Sequence, residues 1–181
     1  MLAEGKKLKK QGLTSRVLAE IAVMVALATV LSMIKIFQLP QGGSITLGSM
    51  IPIFFVALRR GVKVGVLTGM IYGLVQLIID GYIGVYNPVS LLLDYPIAFG
   101  ALGLAGFFRK LPLVGIYAAL TGRFLAHFVS GVVFFWMWAP EGWSPVLYSA
   151  IYNLSYILPE MAISAFILSI VLPEKYLDLF L

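Results

Sequence analysis

Asp94, His127 and Asn153, together with Tyr148, Tyr152 and Tyr156 spaced by four, are polar groups set inside long apolar runs. A carboxylate, an imidazole, an amide and phenols can balance a cation, exchange hydrogen bonds and stack on a flat ring. Residues 122–160 concentrate this chemistry, with the single histidine, all three tryptophans, Arg123 and the run Tyr148, Tyr152, Asn153, Tyr156. Polar side chains in hydrocarbon are costly unless they face a cavity or a partner, so the stretch reads as half of a ligand pocket.

Asp94 lies in LLLDYP, with Tyr95 and Pro96 following. A carboxylate there either pairs with a basic residue of the protein or awaits a cationic ligand. Residue counting puts His127 and Asn153 within one or two helical turns of it in depth, which favours the ligand. On its own, a lone histidine is most often a hydrogen-bonded core residue. Without a second histidine or any cysteine, no metal site is expected. Tyr148, Tyr152, Tyr156 and Glu160 share one helical face with Asn153, and this face suits a small planar heteroaromatic ligand. A positive charge on that ligand would be favoured by the rings and by the carboxylate. Arg123 and Glu160 fall near mid-membrane, where neither could stay charged alone. They are expected to pair with each other, or Arg123 with Glu20.

These groups must be positioned by membrane helices. Of the 181 residues 61% are hydrophobic and only 12% charged, with a mean hydropathy of +0.99. That composition excludes an ordinary soluble domain. Six spans are expected, at 17–37, 45–58, 62–79, 89–108, 113–138 and 146–172, forming an all-α, six-helix transmembrane bundle over 17–172. A basic cytoplasmic segment, 1–16, precedes it and a short cytoplasmic tail, 173–181, follows. The second span is short, and charge parity argues for keeping it. With both termini inside, eleven of the thirteen basic residues lie on the cytoplasmic side. The net charge of +5 is therefore a membrane signal, and no nucleic-acid partner is expected. No Gly-rich loop ending in Lys-Ser or Lys-Thr is present, so the chain does not drive itself with ATP through that motif. No catalytic group or cofactor is expected.

Two small-residue patterns concern close approach of backbones. Gly65, Gly69 and Gly73 form G-x-x-x-G-x-x-x-G in the third span and suit internal packing. Ala22 and Ala26 form A-x-x-x-A in the first span and suit either internal packing or a partner.

In order and spacing, EIAVMVALA, PIFFVALRRG, LLLDY with ALGLAGFFRK, HFVSGVVFF and WSPVLYSAIYN resemble the thiamine-specific substrate-binding (S) components of energy-coupling factor transporters. The resemblance runs from Glu20 over nearly the whole chain. It implies a multi-pass protein of the prokaryotic plasma membrane, in contact with lipid, that binds thiamine from outside. It also implies docking onto a coupling transmembrane subunit driven by two ATPase subunits. Position by position, it implies that Asp94 faces the thiamine cation and that Tyr95, His127, Tyr148 and Asn153 contact the ligand. Ala22 and Ala26 match the family's docking motif. The family's tryptophan eight residues after the histidine is Phe135 here, so Phe135, Trp136 and Trp138 are all candidates to stack on the ligand. Rival readings are an S component for another vitamin or a thiamine precursor, a stand-alone proton-coupled carrier using Asp94, His127 and Glu160, and a membrane assembly factor.

Overall fold

The computed structural model describes residues 13–171; the expectations for 1–12 and 173–181 lie outside them. Among the described residues six helical rods follow one another: α1 (Ser15–Ser32), α2 (Ile51–Arg60), α3 (Val62–Asp80), α4 (Pro88–Phe108), α5 (Pro112–Phe134) and α6 (Pro145–Val171). Between α1 and α2 an antiparallel hairpin pairs β1 (Lys35–Gln38) with β2 (Ser44–Thr46). Five of the rods are long and apolar enough to cross a membrane. Their outward residues, such as Val23, Ile78, Phe107 and Phe166, are large, apolar and exposed, as a lipid-facing surface requires.

The segment expected to cross at 45–58 takes a different form. Residues 44–46 pair as a strand, and the helix that follows has only ten residues. At 1.5 Å per residue it is about 15 Å long, half a hydrocarbon core. It is buried through Pro52, Ile53, Phe54, Val56, Ala57 and Leu58. Its end is secured by charge. Arg59 and Arg60 complement the helix C-terminus and pair with Glu20 of α1. Arg109 donates to the carbonyls of Leu58 and Arg59, 2.7 Å from each. Gly61, at φ 86°, lets the chain turn directly into α3.

The glycine stripe packs inside the chain. A Cβ on Gly69 would lie 2.1 Å from the carbonyl oxygen of Phe99, and one on Gly73 would lie 2.6 Å from that of Tyr95. Gly103 of α4 is equally close to α3, 2.1 Å from the Val66 nitrogen. Two backbones therefore meet without intervening side chains.

Within α4 the helix changes pitch. Pro96 has no N–H and its ring would collide with the carbonyl one turn back, so Leu93–Ile97 widens into a π turn in which the Ala98 N–H reaches the Leu93 carbonyl. The last stretch, Ala101–Phe108, tightens to a 3-10 helix. Asp94 and Tyr95 stand on the widened turn.

Candidate functional site

A cavity of about 150 Å³ lies among α3, α4, α5, α6 and the hairpin. It is bordered at its exposed end by Lys35, Gln41 and Trp138, and its deep end reaches Tyr72, Arg123 and Glu160.

Asp94 reaches this cavity from the π turn, with its side chain 18% exposed. Its two oxygens have separate partners on α5: Oδ1 lies 2.9 Å from Nδ1 of His127, and Oδ2 accepts from the Ser130 hydroxyl at 2.7 Å. One donor per oxygen leaves each with acceptor capacity toward the cavity. Tyr95, beside Asp94, donates its hydroxyl to Asp80 at the end of α3, 2.9 Å away. On the far side of His127, Nε2 accepts from Nε of Arg123 at 3.3 Å.

The α6 face supplies the opposite wall. Tyr148, Tyr152 and Tyr156 follow one another with ring centroids 5.9 Å and 5.8 Å apart, the first pair tilted and the second edge-to-face. Tyr156 also meets the His127 ring edge-on at 6.0 Å and donates to Asn153 Oδ1 at 2.8 Å. The Asn153 amide nitrogen donates to Ser149 and to the His127 carbonyl, which ties α6 to α5. These helices touch at Gly131, where a Cβ would lie 2.2 Å from the Ser149 hydroxyl.

Three rings frame the exposed end. Tyr86 meets Phe135 and Trp138 nearly at right angles, with centroids 5.4 Å and 6.0 Å away. Phe135 and Trp138 are 5.3 Å apart and tilted by 30°. α5 stops at Phe134, short of the expected 138, and the 3-10 turn Trp136–Trp138 sends Trp136 outward, where it is 56% exposed and does not border the cavity.

Comparison with known proteins places this architecture. A model of the thiamine transporter protein (Thia_YuaJ) family matches residues 18–181. The chain belongs to this family. It is 40% identical over 169 residues to the thiamine transporter ThiT of Bacillus subtilis, covering 83% of this chain and 87% of that one. To ThiT of Lacticaseibacillus paracasei it is 34% identical over 122 residues, 58% of this chain and 61% of that one. A solved structure of ThiT from Listeria monocytogenes superposes with a TM-score of 0.79 at 28% identity, covering 91% of this chain and 97% of that one. With five rods able to span, this member of the thiamine transporter family is a multi-pass protein of the prokaryotic plasma membrane.

Of the residues singled out from the sequence, Asp94, Tyr95, His127, Phe135, Trp138, Tyr148 and Asn153 border one cavity and Trp136 does not. Ala22 and Ala26 lie on the outward face of α1, exposed, and the buried side of α1 runs through Val17, Ile21, Val25 and Ala28. The expected pairing of Arg123 does not form. Its guanidinium donates to His127 and to the sulfur of Met50, 2.7 Å away, and lies 4.6 Å over the Phe99 ring. Glu160 instead accepts the backbone N–H and the hydroxyl of Thr46, and Glu20 is taken by Arg59 and Arg60. The reason is local: His127 sits one turn from Arg123 on the same face, and the hairpin root brings unpaired donors to Glu160.

Tyr82, Tyr86 and Gln76 border the cavity too and were not among the residues singled out from the sequence, whereas the loop at 39–46 was expected to lie over the pocket. Tyr82 and Tyr86, spaced by four in DGYIGVYNP and 5.1 Å apart as rings, carried a usable signal. Burial, with the nearby Asp80 charge, raises the Tyr82 hydroxyl above its ordinary value and keeps it a neutral donor. Gln76 is buried and donates to Ser32 at 2.9 Å. Such an amide in an apolar helix is readable by the same cost argument that flagged Asp94.

Proposed function

We propose that this protein is the thiamine-capturing S component of an ATP-driven vitamin uptake transporter, binding thiamine without chemically altering it. The single observation that carries the reading is Asp94, a carboxylate held by one donor per oxygen inside an aromatic-walled cavity. Thiamine is a heteroaromatic cation, and the site offers it a fixed negative charge, stacking surfaces and hydrogen-bonding groups. In this reading Asp94, Tyr95, His127, Phe135, Trp138, Tyr148 and Asn153 contact the ligand, and the hairpin covers it. The family membership and the likeness to named thiamine transporters support the same substrate.

The rest of the proposal concerns assembly. The transmembrane domain, 17–172, crosses six times with both termini cytoplasmic, α2 making the short second passage, and 1–16 and 173–181 flank it inside. The exposed Ala22 and Ala26 face of α1 docks on a coupling transmembrane subunit served by two ATPase subunits, since small side chains allow close helix approach.

Calorimetric titration of the purified chain with thiamine, riboflavin and biotin tests the substrate. The expected result is selective thiamine binding far below micromolar Kd, and failure to bind thiamine below about 1 μM, or −8.2 kcal/mol, would remove the reading. Thiamine uptake by the chain alone in liposomes, driven by a proton gradient without ATPases, would favour a self-sufficient carrier instead.

A further inference from the structure

The three groups Asp94, His127 and Arg123 form a line, and its chemistry depends on where the imidazole proton sits. Arg123 cannot accept a hydrogen bond, because every guanidinium nitrogen is a donor and the group stays charged. Its Nε–H points at Nε2 of His127 across 3.3 Å. Nε2 must therefore present a lone pair. The ring's one proton is then on Nδ1, which donates to Asp94 Oδ1 at 2.9 Å.

We propose that Arg123 is a positioning residue that acts through His127: by holding Nε2 bare, it stops Asp94 and His127 from forming a self-neutralising carboxylate–imidazolium pair and keeps the carboxylate charge for a cationic ligand. The inference rests on the cation-binding reading of this site. A second observation supports it. Arg123 is buried, and its direct contacts are the His127 nitrogen, a methionine sulfur and the face of Phe99, with no carboxylate among the described residues in hydrogen-bond reach; Glu160 faces it from α6 without forming an ion pair. The groups facing the His127–Arg123 pair from neighbouring elements are Tyr72 on α3, Asp94 and Phe99 on α4, Tyr156, Asn153 and Glu160 on α6, and Met50 before α2. A proton added to Nε2 would meet the guanidinium head-on, donor against donor.

The chain contains one histidine, so the test reads a single residue. The full-length protein, labelled with [15N]histidine and purified without a polyhistidine tag, gives ring C–H to ring nitrogen correlations in the ligand-free state near neutral pH. The expected spectrum has Nδ1 protonated and Nε2 bare. Arg123→Met should protonate Nε2, and Arg123→Lys, which keeps a cationic donor, should leave it bare. A wild-type ring protonated on Nε2, or an Arg123→Met ring unchanged from wild type, would overturn the inference.

Binding supplies the second arm. Arg123→Met should weaken thiamine about tenfold, the scale of one charged hydrogen bond, yet by less than about twofold in an Asp94→Asn background. Equal losses in both backgrounds mean that Arg123 touches the ligand directly, and sink the proposal. A chain with the expected spectrum that does not bind thiamine would leave the proton assignment standing and remove the functional reading instead.

Discussion

The backbone N–H of Gly43 donates to the hydroxyl of Tyr152 across 3.0 Å, joining the hairpin to α6 over 109 residues of sequence. The hairpin root is held as well, where Thr46 gives two donors to Glu160 on the same helix. Hairpin and cavity wall thus share one ladder of side chains, Tyr152, Tyr156 and Glu160, so that what orders one face orders the other.

Gly43 has no space for a side chain, since a Cβ would stand 2.7 Å from the Tyr156 ring and 3.0 Å from the Tyr152 hydroxyl. Gly43→Ala should cost about 1–3 kcal/mol of hairpin docking. Hydrogen exchange should rise across 39–46 and thiamine should dissociate faster. Unchanged exchange would show that the hairpin is not seated on these rings.

Asp94→Asn keeps the shape of the side chain and deletes its charge. Thiamine affinity should fall roughly ten- to hundredfold, about 1.5–3 kcal/mol, while the thermal transition in detergent stays put. Calorimetry that returns the wild-type affinity would take Asp94 out of the site.

Trp138 and Trp136 separate a cavity ring from an outward one two residues away. Trp138→Ala should weaken thiamine by about 0.5–1.5 kcal/mol and remove most of the ligand-induced fluorescence change. Trp136→Ala should alter neither. The reverse result would reassign the stacking partner.

Gly69→Ala tests the backbone contact between α3 and α4. With a Cβ 2.1 Å from a carbonyl oxygen, something must move, at a cost of about 1–3 kcal/mol. The expected signs are a lowered melting temperature and, because α4 carries Asp94, a parallel loss of thiamine affinity. Wild-type melting would mean that the two helices are less closely packed.

Ala22→Trp adds bulk to the exposed face of α1. Thiamine binding by the isolated chain should hold within about twofold, as for surface changes generally. Co-purification with the coupling and ATPase subunits should be lost. Normal assembly would place the docking surface elsewhere.

Much of the site was legible in the sequence because a membrane makes polar residues conspicuous: Asp94, His127, Tyr148 and Asn153 stand out against apolar neighbours. The same contrast fails in loops, where Gln41, Gly43 and Tyr86 look ordinary. Helix phase could not be carried past Phe134, where α5 stops, so Phe135, Trp136 and Trp138 were indistinguishable until their rings were placed. The shortness of α2 was visible in its length, but strand pairing at 44–46 depends on a partner at 35–38 that reads as the end of a helix. Arg123 was assigned to a distant acid although His127, at i+4, was its nearer neighbour on the same helical face.

The π turn around Pro96 also has a consequence for numbering. A helical wheel drawn through 88–108 at 3.6 residues per turn slips by about one position at residues 93–97, because that turn holds an extra residue. Residues on the two sides of it cannot be placed on one common stripe. In α4 the bearing of Asp94 toward His127 is set by how many residues the turn contains, so a change of chain length there would redirect the carboxylate even with every cavity side chain retained.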